Sequence, residues 1–211
     1  MPTYKLTYFA APGRAEAIRL AFVLGGIEFE DFHISFQELT SLKESGAIKW
    51  GTIPTLEVTD ESGKTTVIGQ SLAALRLVAR QGGLYPTDPI QAARVDEVLC
   101  VTEDFFHMVS PTMRADPIKK AAMRKELAEK KFPPIFARLE KCFEENGSNG
   151  WLVGESVTAA DLAVLVFVVW IRKGGLDGVP ATLFDNYPQT KGLQEKIHAL
   201  PAVAEYYASK K

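Results

Sequence analysis

A mixed α/β domain followed by an all-helical one is the architecture that this 211-residue sequence predicts. Three observations predict it. Alternating apolar runs and helical stripes interleave as far as residue 81. Glycine and proline then concentrate in Gln81-Gly82-Gly83-Leu84-Tyr85-Pro86-Thr87-Asp88-Pro89. Beyond that break every pattern is helical. The break reads as a domain boundary, with domains expected over 1–81 and 82–211.

Tyr4-Lys5-Leu6-Thr7-Tyr8 alternates as a half-buried strand does. Ala10-Ala11-Pro12-Gly13 is a small-residue turn. A helix follows, with Ile18, Ala21, Phe22 and Leu24 at helical spacing and Gly25-Gly26 as its stop. Residues 28–34 read as a second strand that buries Phe29, Phe32 and Ile34. Residues 35–49 give only a weak helical signal, around 38–43. Leu56 and Val58 alternate in a third strand. Pro54 before it cannot donate to a ladder, so it marks a strand start, an edge or a bend, and a cis Ile53-Pro54 bond is compatible with the pattern. Asp60-Glu61-Ser62-Gly63 turns the chain into a fourth strand over 65–68. Gly69-Gln70-Ser71 then opens a helix with Leu72, Leu75, Val78 and Ala79 along one stripe, capped by Ser71 or a neighbour. The order β-α-β, then β-β-α, fits a parallel pair extended by a hairpin. That is the layout of a thioredoxin-like domain.

In the second half, Asp88-Pro89 and Asp116-Pro117 each place an N-cap residue before a proline at the first helical position. The first of these helices is disturbed at Ser110-Pro111. The second carries Pro133-Pro134, where a bend is expected, and stops at Asn146-Gly147. Thr158-Ala159-Ala160-Asp161 has capping-box spacing, with Asp in place of Glu or Gln. It precedes residues 162–171, which are apolar on every side, so this helix should be the buried centre of the domain. Two short helices are expected near 189–199 and after Pro201.

A net charge of −2 carries no basic surplus that argues for nucleic acid. The N-terminal stretch lacks an apolar signal-peptide core, and the run 162–171 is too short to span a bilayer, so no membrane partner is expected. Cys100 and Cys142 are the two cysteines, without C-x-x-C spacing. That usage fits a reducing cytoplasm and argues against a dithiol or thiolate-metal site. His33, His107 and His198 have no ligand spacing, so no metal is expected.

Tyr8 sits where a strand gives way to a helix N-terminus. Ligands often bind at the carboxyl ends of strands, and helix N-termini offer free N–H groups and a positive dipole end. The residues alone leave two readings: a phenol donating to a developing anion, or a strand tyrosine with a satisfied hydroxyl. The motifs taken together go further. Tyr8-Phe9 before Gly13-Arg14-Ala15-Glu16, then Ile53-Pro54, Gln70-Ser71-Leu72-Ala73 before the break, and Thr158-Ala159-Ala160-Asp161 in the helical half resemble the cytosolic glutathione transferases. The resemblance is strongest to their sigma class, which includes glutathione-dependent prostaglandin D synthases, and it covers essentially the whole chain.

The resemblance implies a glutathione transferase fold and a homodimer that binds glutathione, as substrate or cofactor, and a hydrophobic electrophile. A thiol with a pKa near 8.5 is mostly protonated at neutral pH, and the thiolate is the nucleophile. Tyr8 donating its O–H to the sulfur favours the charged form, and Arg14 near the same helix start supports it. By the same resemblance, Ile53 beside Pro54 pairs with the cysteinyl backbone, and Gln70 and Ser71 take the γ-glutamyl end. Asp96 reaches the ammonium across a dimer interface. Lys43 matches the lysine that binds the glycyl carboxylate. The sequence departs from the sigma pattern at Leu39, where a tryptophan is usual, and at Thr52, where glutamine is frequent. Lys49 or Trp50 then shares the glycyl end. The electrophile wall is expected from Phe9, Phe105, Phe106, Met108, Val109 and Thr112, with Tyr206 or Tyr207 from the tail.

Two other readings use the same residues differently. In a prostaglandin D synthase-type isomerase, glutathione emerges unchanged. In a crystallin-like or ligand-carrying relative, no catalysis occurs.

Overall fold

The structure is a computed structural model and describes residues 1–210. The chain divides into two compact units, one over Met1–Tyr85 joined by the last residues from Ser209, the other over Pro86–Ala208.

The first unit holds a four-stranded sheet of β1 (Thr3–Tyr8), β2 (Glu30–His33), β3 (Thr55–Thr59) and β4 (Thr65–Gly69), in the order β2-β1-β3-β4. The β1/β2 pair is parallel, because the helix α1 (Glu16–Leu24) carries the chain back between them. The β1/β3 and β3/β4 pairs are antiparallel. Leu6 and Leu56 from the sheet, Ile18, Leu20 and Phe22 from α1, and Leu75 and Val78 from α3 (Ser71–Gln81) form the core and are fully enclosed. The helix ends meet backbone to backbone. A Cβ on Gly25 would lie 2.7 Å from the Cα of Gly82, so both positions exclude a side chain.

Two expectations for this unit are corrected. Phe32 is not buried: β2 is the edge of the sheet, and the ring stays 40% exposed beneath the Lys5 ammonium, 4.0 Å from its centre. No side chain caps α3. Its N-cap is Gln70, and Ser71 is the first helical residue. The weak signal around 38–43 becomes a full helix, α2 (Phe36–Glu44), fixed by a capping box. Glu38 N–H donates to Ser35 Oγ at 3.2 Å, and Ser35 N–H to Glu38 Oε2 at 2.7 Å.

The second unit is helical: α4 (Pro89–Val109), α5 (Pro117–Glu126), α6 (Phe132–Glu145), α7 (Ala159–Arg172), α8 (Pro188–His198) and α9 (Pro201–Ser209). A 3₁₀ turn over Ser110–Arg114 follows α4. A π-type turn over Leu127–Lys131 joins α5 to α6 without a break in helical backbone, and the irregularity expected around Pro133-Pro134 takes this form just before the two prolines. Helix α7, apolar from Leu162 to Ile171, is buried along most of its length. An aromatic stack surrounds it: Phe105 lies 4.5 Å from Phe167 and 4.7 Å from Phe132, and Phe136 lies 4.6 Å from Phe184. Asp161 is a buried carboxyl in the first turn of α7. Its oxygens accept from Leu152 N–H at 2.9 Å, Thr158 N–H at 2.7 Å and Thr158 Oγ1 at 2.9 Å. Burial raises the Asp161 carboxyl to about 6, against the pull of those hydrogen bonds.

Candidate active site

The strand register assembles one edge of the first unit. Thr7 pairs with Thr55, and Thr55 with Gly69. Because β3 runs against both β1 and β4, the end of β1, the start of β3 and the end of β4 lie on one side of the sheet. Tyr8, Ile53-Pro54 and Gln70-Ser71, far apart in sequence, therefore converge there. The Ile53-Pro54 bond is cis.

At this edge Tyr8 is half-buried, and its phenolic oxygen accepts the backbone N–H of Arg14 at 3.3 Å. Gly13 makes that approach possible. Its φ of +43° is a conformation that favours glycine, and a Cβ there would stand 2.5 Å from the Tyr8 oxygen. The 3₁₀ turn Gly13–Ala15 leads directly into α1, so the hydroxyl sits at a helix start. The Tyr8 oxygen takes the Arg14 N–H in one lone pair, which leaves its own O–H for another acceptor.

Gln70 adopts φ +73°, a sparsely populated conformation for a residue with a side chain. It caps α3 through its backbone, its side chain makes no capping bond, and it is exposed. Ser71 beside it is buried. Pro54 is buried and Ile53 half-buried; Thr52 is exposed. Lys43 is exposed on the last turn of α2, and Leu39 one turn earlier is half-buried. Trp50 is 57% exposed. Its indole lies on the backbone of Gly69, where a Cβ would approach within 2.4 Å of Cδ1, and the Lys49 ammonium is 5.0 Å from the indole. Trp50 and Lys49 thus stand against the end of β4, one residue from Gln70. Asp96 lies in the second unit, half-exposed on α4.

The residues expected to form the electrophile wall separate by burial. In the first unit, Phe9 is half-buried, 5.4 Å from the Tyr8 ring and 4.3 Å from Phe36. In the second, Phe106 and Met108 on α4 and Tyr206 and Tyr207 on α9 keep part of their surface. Phe105, Val109 and Thr112 are corrected to core residues. Phe105 belongs to the aromatic stack around α7, and Val109 is 1% exposed. The Thr112 hydroxyl donates to the Val109 carbonyl at 2.7 Å and accepts from Arg124 Nε at 3.1 Å.

One group at the site was absent from the sequence reading. Arg19, on α1, is enclosed, and its guanidinium lies 5.9 Å from the Tyr8 ring. It pairs with Asp31 on β2. Burial alone would raise the Asp31 carboxyl. The hydrogen bond and charge of Arg19, helped by Lys210 and His33, more than reverse this and hold it below its ordinary value. A charged residue inside the apolar run Ala17-Ile18-Arg19-Leu20-Ala21 was the available signal.

Among the described residues no group of three or more His, Cys, Asp or Glu side chains could hold a metal ion. No helix among them is long and apolar enough to cross a membrane.

A four-stranded sheet of this order is joined in one chain to a helical unit, and comparison with known proteins assigns the family. The family model described as "Glutathione S-transferase, C-terminal domain" matches residues 103–210. The chain belongs to the glutathione S-transferase family, as a sigma-like member and a transferase. It is 32% identical over 206 residues to the hematopoietic prostaglandin D synthase of Gallus gallus, covering 98% of this chain and 96% of that one. It is 31% identical to glutathione S-transferase 4 of Caenorhabditis elegans, covering 100% and 98%. The solved structure of a sigma class transferase from Fasciola hepatica superposes with a TM-score of 0.85 at 25% identity, covering 100% and 97%.

Proposed function

We propose that the chain binds glutathione along the edge formed by Tyr8, Ile53-Pro54 and Gln70-Ser71, and that Tyr8 activates the thiol for attack on hydrophobic electrophiles. The observation that carries this reading is the Tyr8 oxygen held by the Arg14 N–H at a helix start. With that lone pair occupied, the phenol donates to sulfur and stabilises the thiolate, while the displaced proton leaves to solvent. The Arg14 charge is proposed to act in the same sense. The thiolate then forms the new C–S bond, and either a leaving group departs or the adduct takes up a proton.

The remaining contacts anchor the tripeptide. Ile53 pairs its backbone with the cysteinyl amide, as an added strand would. Gln70, Ser71 and the first turn of α3 receive the γ-glutamyl carboxylate. Lys43, Lys49 and Trp50 hold the glycyl carboxylate, with Thr52 at the rim, in place of the indole that Leu39 lacks. In a homodimer, Asp96 of the other subunit meets the γ-glutamyl ammonium. Phe9 offers apolar surface to the electrophile on the first unit; on the second, Phe106, Met108 and Tyr206 are the candidates that keep exposed surface. The proposed setting is cytoplasmic detoxification, in keeping with Cys100 and Cys142 both being free thiols.

A second reading keeps the site and changes the outcome. The thiolate attacks one endoperoxide oxygen, forming an S–O bond as the O–O bond breaks and the other oxygen leaves as an alkoxide that takes up a proton. Loss of the C–H proton from the carbon bearing the S–O oxygen then forms the carbonyl and expels the thiolate, so glutathione is regenerated. The relative from Gallus gallus favours it. Steady-state assays with glutathione and an activated aryl chloride, alongside product analysis with a prostaglandin endoperoxide, separate the two. Conjugation lost in Tyr8→Phe supports the first reading. Prostaglandin D formed without glutathione consumption supports the second. Neither product, with no glutathione bound, returns the chain to the carrier reading.

A further inference from the structure

We propose that Arg19 is a positioning residue for thiol activation: its guanidinium gathers the carbonyls of the segment between Tyr8 and Gly13 and so holds the Arg14 N–H on the Tyr8 oxygen. This rests on the reading of Tyr8 given above.

The segment needs such a brace. Ala10, Ala11, Pro12 and Gly13 are all exposed, small or cyclic, and bury no side chain that would fix them. One short backbone bond, Ala11 N–H to the Phe9 carbonyl at 2.7 Å, crosses the segment. The carbonyls instead converge on Arg19. Its Nη1 donates to Ala11 O at 2.8 Å and to Pro12 O at 3.2 Å, and its Nη2 donates to Phe9 O at 3.2 Å. The opposite side of the guanidinium is fixed in turn. Nε donates to both oxygens of Asp31, at 2.9 and 3.0 Å, and Nη1 reaches Glu16 Oε2 at 3.2 Å. Lys210 lies 3.3 Å from Asp31 Oδ2.

This arrangement selects a geometric role over a field effect. Two carboxylates, Asp31 and Glu16, surround one guanidinium, so Arg19 brings no net positive charge to the sulfur. What it does supply is a rigid planar fork, which three carbonyls on consecutive turns of chain require and an ammonium cannot match. The Pro12 carbonyl it holds belongs to the peptide preceding Gly13, and Gly13 precedes the N–H that Tyr8 accepts. Loosening the fork therefore lets the Arg14 N–H drift from the phenolic oxygen, and the phenol loses its orientation toward sulfur.

The test is the thiol titration of bound glutathione, followed by thiolate absorbance, in Arg19→Gln, Tyr8→Phe and the double variant. Glutathione affinity is measured beside it by calorimetry. Arg19→Gln should hold about tenfold less thiolate at neutral pH, with glutathione affinity changed less than threefold. In the Tyr8→Phe background the Arg19 substitution should add nothing, because both act through one phenol. Wild-type thiolate in Arg19→Gln, while Tyr8→Phe loses it, overturns the positioning role and leaves Tyr8 standing. Full additivity in the double variant overturns it as well. A wild-type titration in Tyr8→Phe removes the underlying reading instead. If Arg19→Gln does not fold, Arg19→Lys and Asp31→Asn carry the test. Each should lose thiolate in the same direction and by less, and wild-type thiolate in both contradicts the proposal.

Discussion

The Tyr8 phenolic oxygen accepts the N–H of Arg14, six residues on, across a glycine whose missing side chain is what lets the two meet. Gly13→Ala would place a methyl 2.5 Å from that oxygen, at a φ of +43° that alanine tolerates poorly. Loss of one well-placed donor to a developing charge commonly lowers turnover by about 10². We expect Gly13→Ala to reduce kcat for conjugation by about that factor with a smaller change in glutathione affinity, measured by steady-state kinetics beside calorimetry. Unchanged kcat would mean that the phenol is not in the mechanism.

Helix α2 has no fully buried residue, so its capping box carries much of its order. The backbone N–H and the hydroxyl of Ser35 hold the exposed Glu38 carboxyl below its ordinary value. Ser35→Ala removes a cap that typically contributes about 1 kcal/mol. Amide exchange over Phe36–Glu44 should accelerate several-fold, and glutathione affinity should fall, because Lys43 rides on this helix. Hydrogen exchange with and without glutathione reads both effects.

Asp161 gives a pH dependence with a defined sign. Its folded value of about 6 stands above the ordinary 3.8, so the folded state binds more protons between those limits. The stability this group contributes is therefore greatest below about pH 4 and declines as pH rises through 6. The shift corresponds to about 3 kcal/mol. Denaturant unfolding of wild type and Asp161→Asn should show the stability advantage of Asp161 narrowing by about that amount from pH 4 to pH 7. An advantage that grew with pH would contradict the dominance of burial over the three hydrogen bonds.

Neighbouring phenylalanines on α4 should behave oppositely. Phe105 is enclosed in the aromatic stack, and Phe105→Ala should cost about 3–5 kcal/mol of stability. Phe106 is half-exposed, and Phe106→Ala should cost about 1 kcal/mol. The effect of Phe106→Ala should appear in the KM for an apolar electrophile. Chemical unfolding and electrophile-dependent kinetics separate the two.

The elements that were legible in the sequence are those with a strong local rule. Asp88 and Asp116 each accept backbone N–H groups at the helix starts their prolines mark. Thr158 and Asp161 form the box their spacing promises, and α7 is as buried as its apolar run requires. Legibility failed where tertiary context decides. Ser35 and Glu38 had capping-box spacing, but the polar helix after them showed too little apolar period to announce itself. Phe32 and Phe105 look alike in sequence, yet one lies on a sheet edge and the other among three helices. The convergence of Tyr8, Pro54 and Gln70 depends on strand register, which no local pattern states. Arg19 was missed because a buried arginine is recognisable only by the carbonyls and carboxylate brought to it from other segments.

Stabilisation of a bound thiolate by Tyr8 is the centre of the proposed mechanism. The most direct measurement is the ultraviolet thiolate absorbance of the glutathione complex against pH, for wild type and Tyr8→Phe at saturating glutathione. The wild type should show a thiol pKa below the free value of about 8.5, returning toward it in Tyr8→Phe with glutathione still bound. Equal titrations in the two proteins would remove Tyr8 from thiol activation and leave Arg14 as the group to test next.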